Sequence, residues 1–218
     1  MTDETPVIPE LNRRMLLRGG LAAGAGLAIA GLGTVGLTGV AEAGVTFQTQ
    51  FDWAYCANCT SLWYTGNKTA GVCDYAVEYL NEPRGGHVKS PSFSYELRYN
   101  VSGSGGPSYQ AGWNWCSACQ CLFYANVEYL STNYCPADLG GHHKTGGLAY
   151  SVLYNDAVSG SSQGGWWWCS QCQGLFNAAG GLGGWCPSPL GGPHSSITES
   201  GKLDSLAYDV SYYSTSSP

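Results

Sequence analysis

The sequence predicts an all-β protein built from three tandem β-hairpin modules, and three observations carry that expectation. The first is a motif that occurs three times, from Gln50 to Trp63, from Gln110 to Phe123 and from Gln163 to Phe176. Its shared pattern is Q-x-x-W-x-aromatic-C-x-x-C-x-x-L-aromatic, and an internal repeat of this kind outranks local propensity. The second is composition. The chain carries 32 Gly, 15 Tyr and 8 Trp but few strong helix formers, which favours short strands and many turns. The third is a common tail on the C-terminal side of every motif: one more cysteine, a Gly-Gly-His (with Pro193 before the third His) and then an alternating apolar stretch.

Taken in order, residues 1–43 read as an export signal. Arg13 and Arg14 open an apolar, glycine-rich run from Gly19 to Val40, and Ala41-Glu42-Ala43 has the small residues of a cleavage site. The paired arginines resemble a twin-arginine export signal, which implies an exported chain, secreted or in the cell envelope. That route carries folded proteins, so thiols could take up metal before meeting an oxidising compartment. A single membrane-spanning helix is the competing reading of this segment. After cleavage no membrane contact is expected.

Module one spans 44–106. Thr46 to Phe51 reads as a strand leading into Cys56 and Cys59, Ser61 to Tyr64 as its return, and Ser94 to Val101 as a closing strand. Between Cys73 and His87 lie 13 residues, of which Cys73 to Leu80 could form a turn or two of helix. Module two spans 107–160 and closes on the strand Ala149 to Tyr154. Module three spans 161–218 and closes on Leu206 to Tyr212. Joints of around five residues favour one closed, pseudo-threefold body over beads on a string.

Nine of the ten cysteines and three of the four histidines fall into three equivalent sets. These are Cys56, Cys59, Cys73 and His87; Cys116, Cys119, Cys135 and His142; and Cys169, Cys172, Cys186 and His194. Three thiolates and an imidazole are a closed, structural zinc set. The arrangement resembles a zinc ribbon, which implies a Cys-x-x-Cys turn completed by a second ligand pair from a following hairpin. Three structural zinc ions are therefore expected. A disulfide scaffold is the main alternative for an exported chain, although three cysteines per module cannot pair fully within each repeat. Iron or a redox role is a third option. Asp74 could replace His87, whose spacing is irregular, and the leftover Cys121 or His143 could enter the second set.

The tryptophans cluster beside the cysteines. Trp53, Trp113 and Trp166 share one position and read as core, because a module of this size buries little else. Trp167 and Trp185 are the better candidates for ligand binding by ring stacking. The Gln ahead of each Trp bears a weak resemblance to the three-repeat ricin-type lectins, whose repeats have no Cys-x-x-Cys centre.

A net charge of −6 leaves no basic footprint for nucleic acid. No nucleophile elbow, zinc-protease helix or phosphate loop is present. The expectation is an exported, non-catalytic binding or structural protein, contacting an extracellular polysaccharide or self-associating. The rivals are a secreted hydrolase using Glu78, Glu128 or His87, and a metal-buffering protein.

Overall fold

Alternating runs and a motif that turns on itself at each Cys-x-x-Cys make strand the dominant regular structure of the described residues. The computed structural model describes residues 39–40, 45–78, 80–81, 85–103, 108–126, 133–144, 146–154, 161–179, 183–196 and 206–213. The expected export signal lies outside them, apart from the two-residue strand β1, Gly39–Val40, which pairs antiparallel with Phe47 and Thr46.

In module one, β2 (Val45–Cys56) enters the first Cys-x-x-Cys turn, β3 (Leu62–Tyr64) returns, and β4 (Lys89–Gly103) closes. A short helix, α1 (Asp74–Glu78), lies in the long insertion. Module two repeats the plan with β5 (Tyr109–Trp115), β6 (Leu122–Tyr124) and β7 (Tyr150–Tyr154). Module three repeats it with β8 (Ser162–Trp168), β9 (Leu175–Asn177) and β10 (Tyr208–Tyr213).

The three modules form one closed body. Each motif strand pairs antiparallel with its own closing strand: β2 with β4, β5 with β7, β8 with β10. The closing strands then pair with one another, β4 with β10, β10 with β7 and β4 with β7, giving a nearly closed antiparallel barrel. Each register slips just ahead of the motif tryptophan, where Asp52, Gly112 and Gly165 take positive φ values of 68°, 99° and 81°. This bulge turns Trp53, Trp113 and Trp166 inward, and all three are fully buried.

Packing runs around the ring in one direction. Trp53 meets Tyr150 of module two edge-on, Trp113 meets Tyr208 of module three, and Trp166 meets Tyr95 of module one, each pair with ring centroids 5.3 Å apart. The Gln heading each motif accepts a hydrogen bond from the same tyrosine that its Trp touches: Gln50 from Tyr150, Gln110 from Tyr208 and Gln163 from Tyr95. Each motif therefore completes its core with its neighbour's closing strand, and a single module would leave its Trp half-covered.

Candidate metal centres

The Cys-x-x-Cys turn has the same construction three times. The first cysteine's N–H bonds to the carbonyl five residues on (Ser61, Cys121 and Gly174), and its own carbonyl accepts from the residue after the second cysteine. That last residue is left-handed in each copy, Thr60, Gln120 and Gln173 with φ 62°, 69° and 66°. The turn thus points both sulfurs to one side.

The second half of each cluster is a loop pinched by backbone bonds rather than a second regular hairpin, a departure from the ribbon expectation. Cys73 N–H donates to Gly85 O, Cys135 N–H to Gly140 O and Cys186 N–H to Gly192 O, in every case the residue two before the histidine. This explains the Gly-Gly signature and resolves the irregular spacing in module one. The insertion holding α1 is closed at its neck by the Cys73–Gly85 bond, so His87 reaches the same place as His142 and His194.

All twelve expected ligands come together in their three sets, with the four ligand atoms of each set within 4.8 Å of one another. The first and third cysteines of each set lie 3.8, 3.7 and 3.8 Å apart, sulfur to sulfur. The second cysteine lies 3.4, 3.4 and 3.3 Å from the histidine Nδ1. A disulfide needs about 2.05 Å between sulfurs. Two thiolates each about 2.3 Å from a shared tetrahedral ion stand about 3.8 Å apart. The separations match a common ion, and all ten cysteines are free thiols.

Charge makes the same point. Hydrogen bonds from Cys59 and Cys73 hold Cys56 far below the ordinary thiol range, while burial pushes Cys59 well above it. Cys116 is likewise lowered, by Cys119 and Cys135, and burial raises Cys119. In module three burial opposes the change, but hydrogen bonds from Cys172 and Cys186 still bring Cys169 down, and burial raises Cys172. Buried thiols cannot all ionise together without a cation among them.

Each imidazole is fixed on both sides. Its face stacks on the aromatic residue that ends the motif: His87 on Trp63, His142 on Phe123 and His194 on Phe176, at interplanar angles of 24°, 19° and 21°. With Nδ1 turned to the sulfurs, Nε2 reaches into the next module. His87 Nε2 lies 3.0 Å from Cys119 O and His142 Nε2 lies 3.0 Å from Cys172 O. At the third junction His194 Nε2 meets Ser61 Oγ at 3.2 Å instead. Such outer partners fix the ring orientation a ligand needs.

The remaining sequence candidates fall elsewhere. Asp74 is not part of the first set; it lines a cavity of about 20 Å³ between the clusters, together with Ser61, Cys121, Trp185 and the three histidines. Cys121 stays outside the second set, 3.3 Å from His87 Nε2. His143 also lies outside it but joins Asp138 and Cys135 in a smaller group. Trp185 is half-buried and meets Tyr75 edge-on, while Trp167 is half-buried against Cys169, Cys172 and Phe176. Glu128 and the side chain of Glu78 lie outside the described residues, and His87 is committed to the first cluster.

Sequence reasoning had no means of finding the Nε2 partners, since each sits in another module. No protein-family model, curated protein or solved structure matches the chain. Fold and site together define an all-β protein of three repeats, each with a buried Cys3His cluster that can hold a metal ion.

Proposed function

We propose that this is an exported, non-catalytic protein whose three modules are stapled by structural zinc and which binds a neutral extracellular polymer, carbohydrate first. The observation that carries the zinc reading is the closed shell. Every cluster offers three sulfurs and one Nδ1 with tetrahedral spacing, and nine of the twelve ligands are cysteines that are almost wholly buried. A catalytic zinc keeps three protein ligands and an open position, whereas four protein ligands and burial suit a structural ion. Thiolate with imidazole selects zinc over magnesium or calcium. Zinc would hold the loops that the barrel strands leave free, and it would supply no reaction.

Export is supported by the paired arginines and the cleavage-site residues alone. Loading with metal before export would protect nine of the ten thiols from oxidation. The polymer reading rests on the low charge of the chain and on two half-buried tryptophans, Trp167 and Trp185, each with a partly open indole. Neutral aromatic surface suits the apolar face of a sugar ring.

Mass spectrometry of the purified protein under native and then acid conditions tests the zinc reading. Three ions lost in acid, with ten reduced thiols left behind, is the expected result. A metal-free protein lighter by two protons per bridge would replace it with a disulfide scaffold. For the polymer, retention on insoluble polysaccharides should fall about two- to twelvefold with Trp167→Ala or Trp185→Ala, since one stacked ring contributes about 0.5–1.5 kcal/mol. Equal retention of both variants, or oligomers in sedimentation with no polysaccharide bound, would turn the reading to self-association.

A further inference from the structure

Among the described residues, the second cluster has a neighbour that the other two lack. Cys135, Asp138 and His143 bring a sulfur, a carboxylate oxygen and an imidazole nitrogen within 4.8 Å of one another. Their positions are held by the backbone. Leu139 N–H donates to Cys135 O at 2.8 Å and Cys135 N–H to Gly140 O at 2.7 Å, which closes a tight turn around Asp138. Within that turn Asp138 Oδ1 accepts from Gly140 N–H at 2.9 Å, so Oδ2 is the oxygen left to meet His143 Nε2, 2.7 Å away.

His143 is anchored just as firmly. Its N–H donates to Cys116 Sγ at 3.3 Å, and its carbonyl accepts from Ser117 N–H at 3.1 Å. The equivalent backbone bond exists in the other modules, from Ala57 to Val88 and from Ser170 to Ser195. Those modules therefore place a valine and a serine where module two places an imidazole. Three residues beyond the third cysteine they have Ala76 and Pro189 where module two has Asp138. Only this copy has the donors.

We propose, resting on the reading that the three clusters hold zinc, that module two carries a fourth, open cation site formed by Cys135, Asp138 and His143. Its ligand is a borderline divalent cation such as zinc or cobalt(II), and the Cys135 sulfur is shared with the closed cluster. The donor set is the argument for the ion's class. Thiolate and imidazole are poor ligands for calcium or magnesium but good ones for zinc and its analogues. The exposure is the argument for openness, because the side chains of His143 and Asp138 are 46% and 47% exposed. Three protein ligands with solvent at the fourth position leave the ion accessible, unlike the closed four-ligand sets of the three staples. A cation entering between His143 and Asp138 replaces their mutual 2.7 Å hydrogen bond with two ligand bonds, the two side chains parting to admit it. Placed beside Cys135, it gives the second cluster a route by which an ion can arrive or leave.

The test is equilibrium dialysis of the full chain against rising free zinc, with metal and protein measured in the same sample. Four equivalents are expected for the unaltered protein, the fourth being the first removed by a weak chelator. His143→Gln and Asp138→Asn, both at exposed positions, should each bind three. Saturation of the unaltered protein at three, or a fourth equivalent that survives in both variants, would overturn the fourth site and leave the three staples standing. Fewer than three equivalents in the unaltered protein would overturn the zinc reading itself, and the fourth site with it.

Discussion

The aromatic layer and the thiol layer of this molecule are both threefold and both cross the module boundaries in the same sense, yet they are held by different forces. In the barrel, Trp53, Trp113 and Trp166 find their partners Tyr150, Tyr208 and Tyr95 with nearly identical geometry in all three places. In the loops, the ligand sets repeat closely but the outer contacts do not, since His87 and His142 meet backbone carbonyls and His194 meets a hydroxyl. The barrel layer is aromatic packing with one tyrosine-to-glutamine hydrogen bond at each contact. On the zinc reading proposed above, the thiol layer depends on pH and metal. Closure of the ring is then supported twice, once by packing and once by filled clusters.

Stripping the metal is the hardest test of that contrast. A structural zinc ion contributes on the order of 10 kcal/mol in small domains. Chelation should therefore abolish hydrogen-exchange protection in the loops carrying Cys73, His87, Cys135 and His194. Amides of β4, β7 and β10 should exchange last. Simultaneous loss of protection in loops and strands would mean that the layers are not separable. Acid should act in the same direction. Burial raises Cys59, Cys119 and Cys172 above the ordinary thiol range. An ion must displace those protons, so apparent affinity rises with pH by about tenfold per pH unit for every proton displaced. Competition with a chromophoric chelator at several pH values measures that slope, and a flat profile would contradict it.

Breaking the other layer should leave the metal count alone. Trp113 is fully buried against Tyr124 and Tyr208, and Trp113→Ala should cost about 3–5 kcal/mol in urea denaturation. The folded variant should still carry three ions. A third perturbation probes where modules three and one lean on each other within the thiol layer. Gly184 has φ +63°, and a Cβ there would lie 2.2 Å from the carbonyl oxygen of Cys59 in module one. Gly184→Ala should cost roughly 1–3 kcal/mol. Gly146→Ala, with no positive φ and nothing within 4 Å of the added atom, is the unstrained control and should be near neutral.

The parts of this design that were legible in the sequence are those that repeat. Twelve ligands could be assigned because each set recurs, and His87 could be included despite its irregular spacing because the Gly-Gly pair precedes it too. The strands followed from the same periodicity. The junctions were not legible, because their partners are distant in sequence: Gln50 bonds to Tyr150, and His142 to Cys172. Nor was the bulge evident in module one, where Asp52 adopts the positive φ that glycine supplies at Gly112 and Gly165. Asp74 and Cys121 were ambiguous for a related reason. Their residue types suit a metal, but only the closed ring shows that they face a small cavity between the clusters.

The smallest predicted effect isolates the junction whose outer partner is a side chain in place of a main-chain carbonyl. The acceptors for His87 and His142 are main-chain carbonyls, and no substitution removes them. Ser61 Oγ, 3.2 Å from His194 Nε2, can be deleted with little change in volume. Outer-shell partners of metal-bound histidines are worth roughly tenfold or more in affinity. Ser61→Ala should accordingly weaken the ion at Cys169, Cys172, Cys186 and His194 by about tenfold, although residue 61 belongs to the first module. The other two ions should be held as before. Chelator competition would then show one ion leaving early and two leaving late. A uniform shift of all three would mean that the ring transmits the change throughout. No shift at all would mean that stacking on Phe176 alone orients His194.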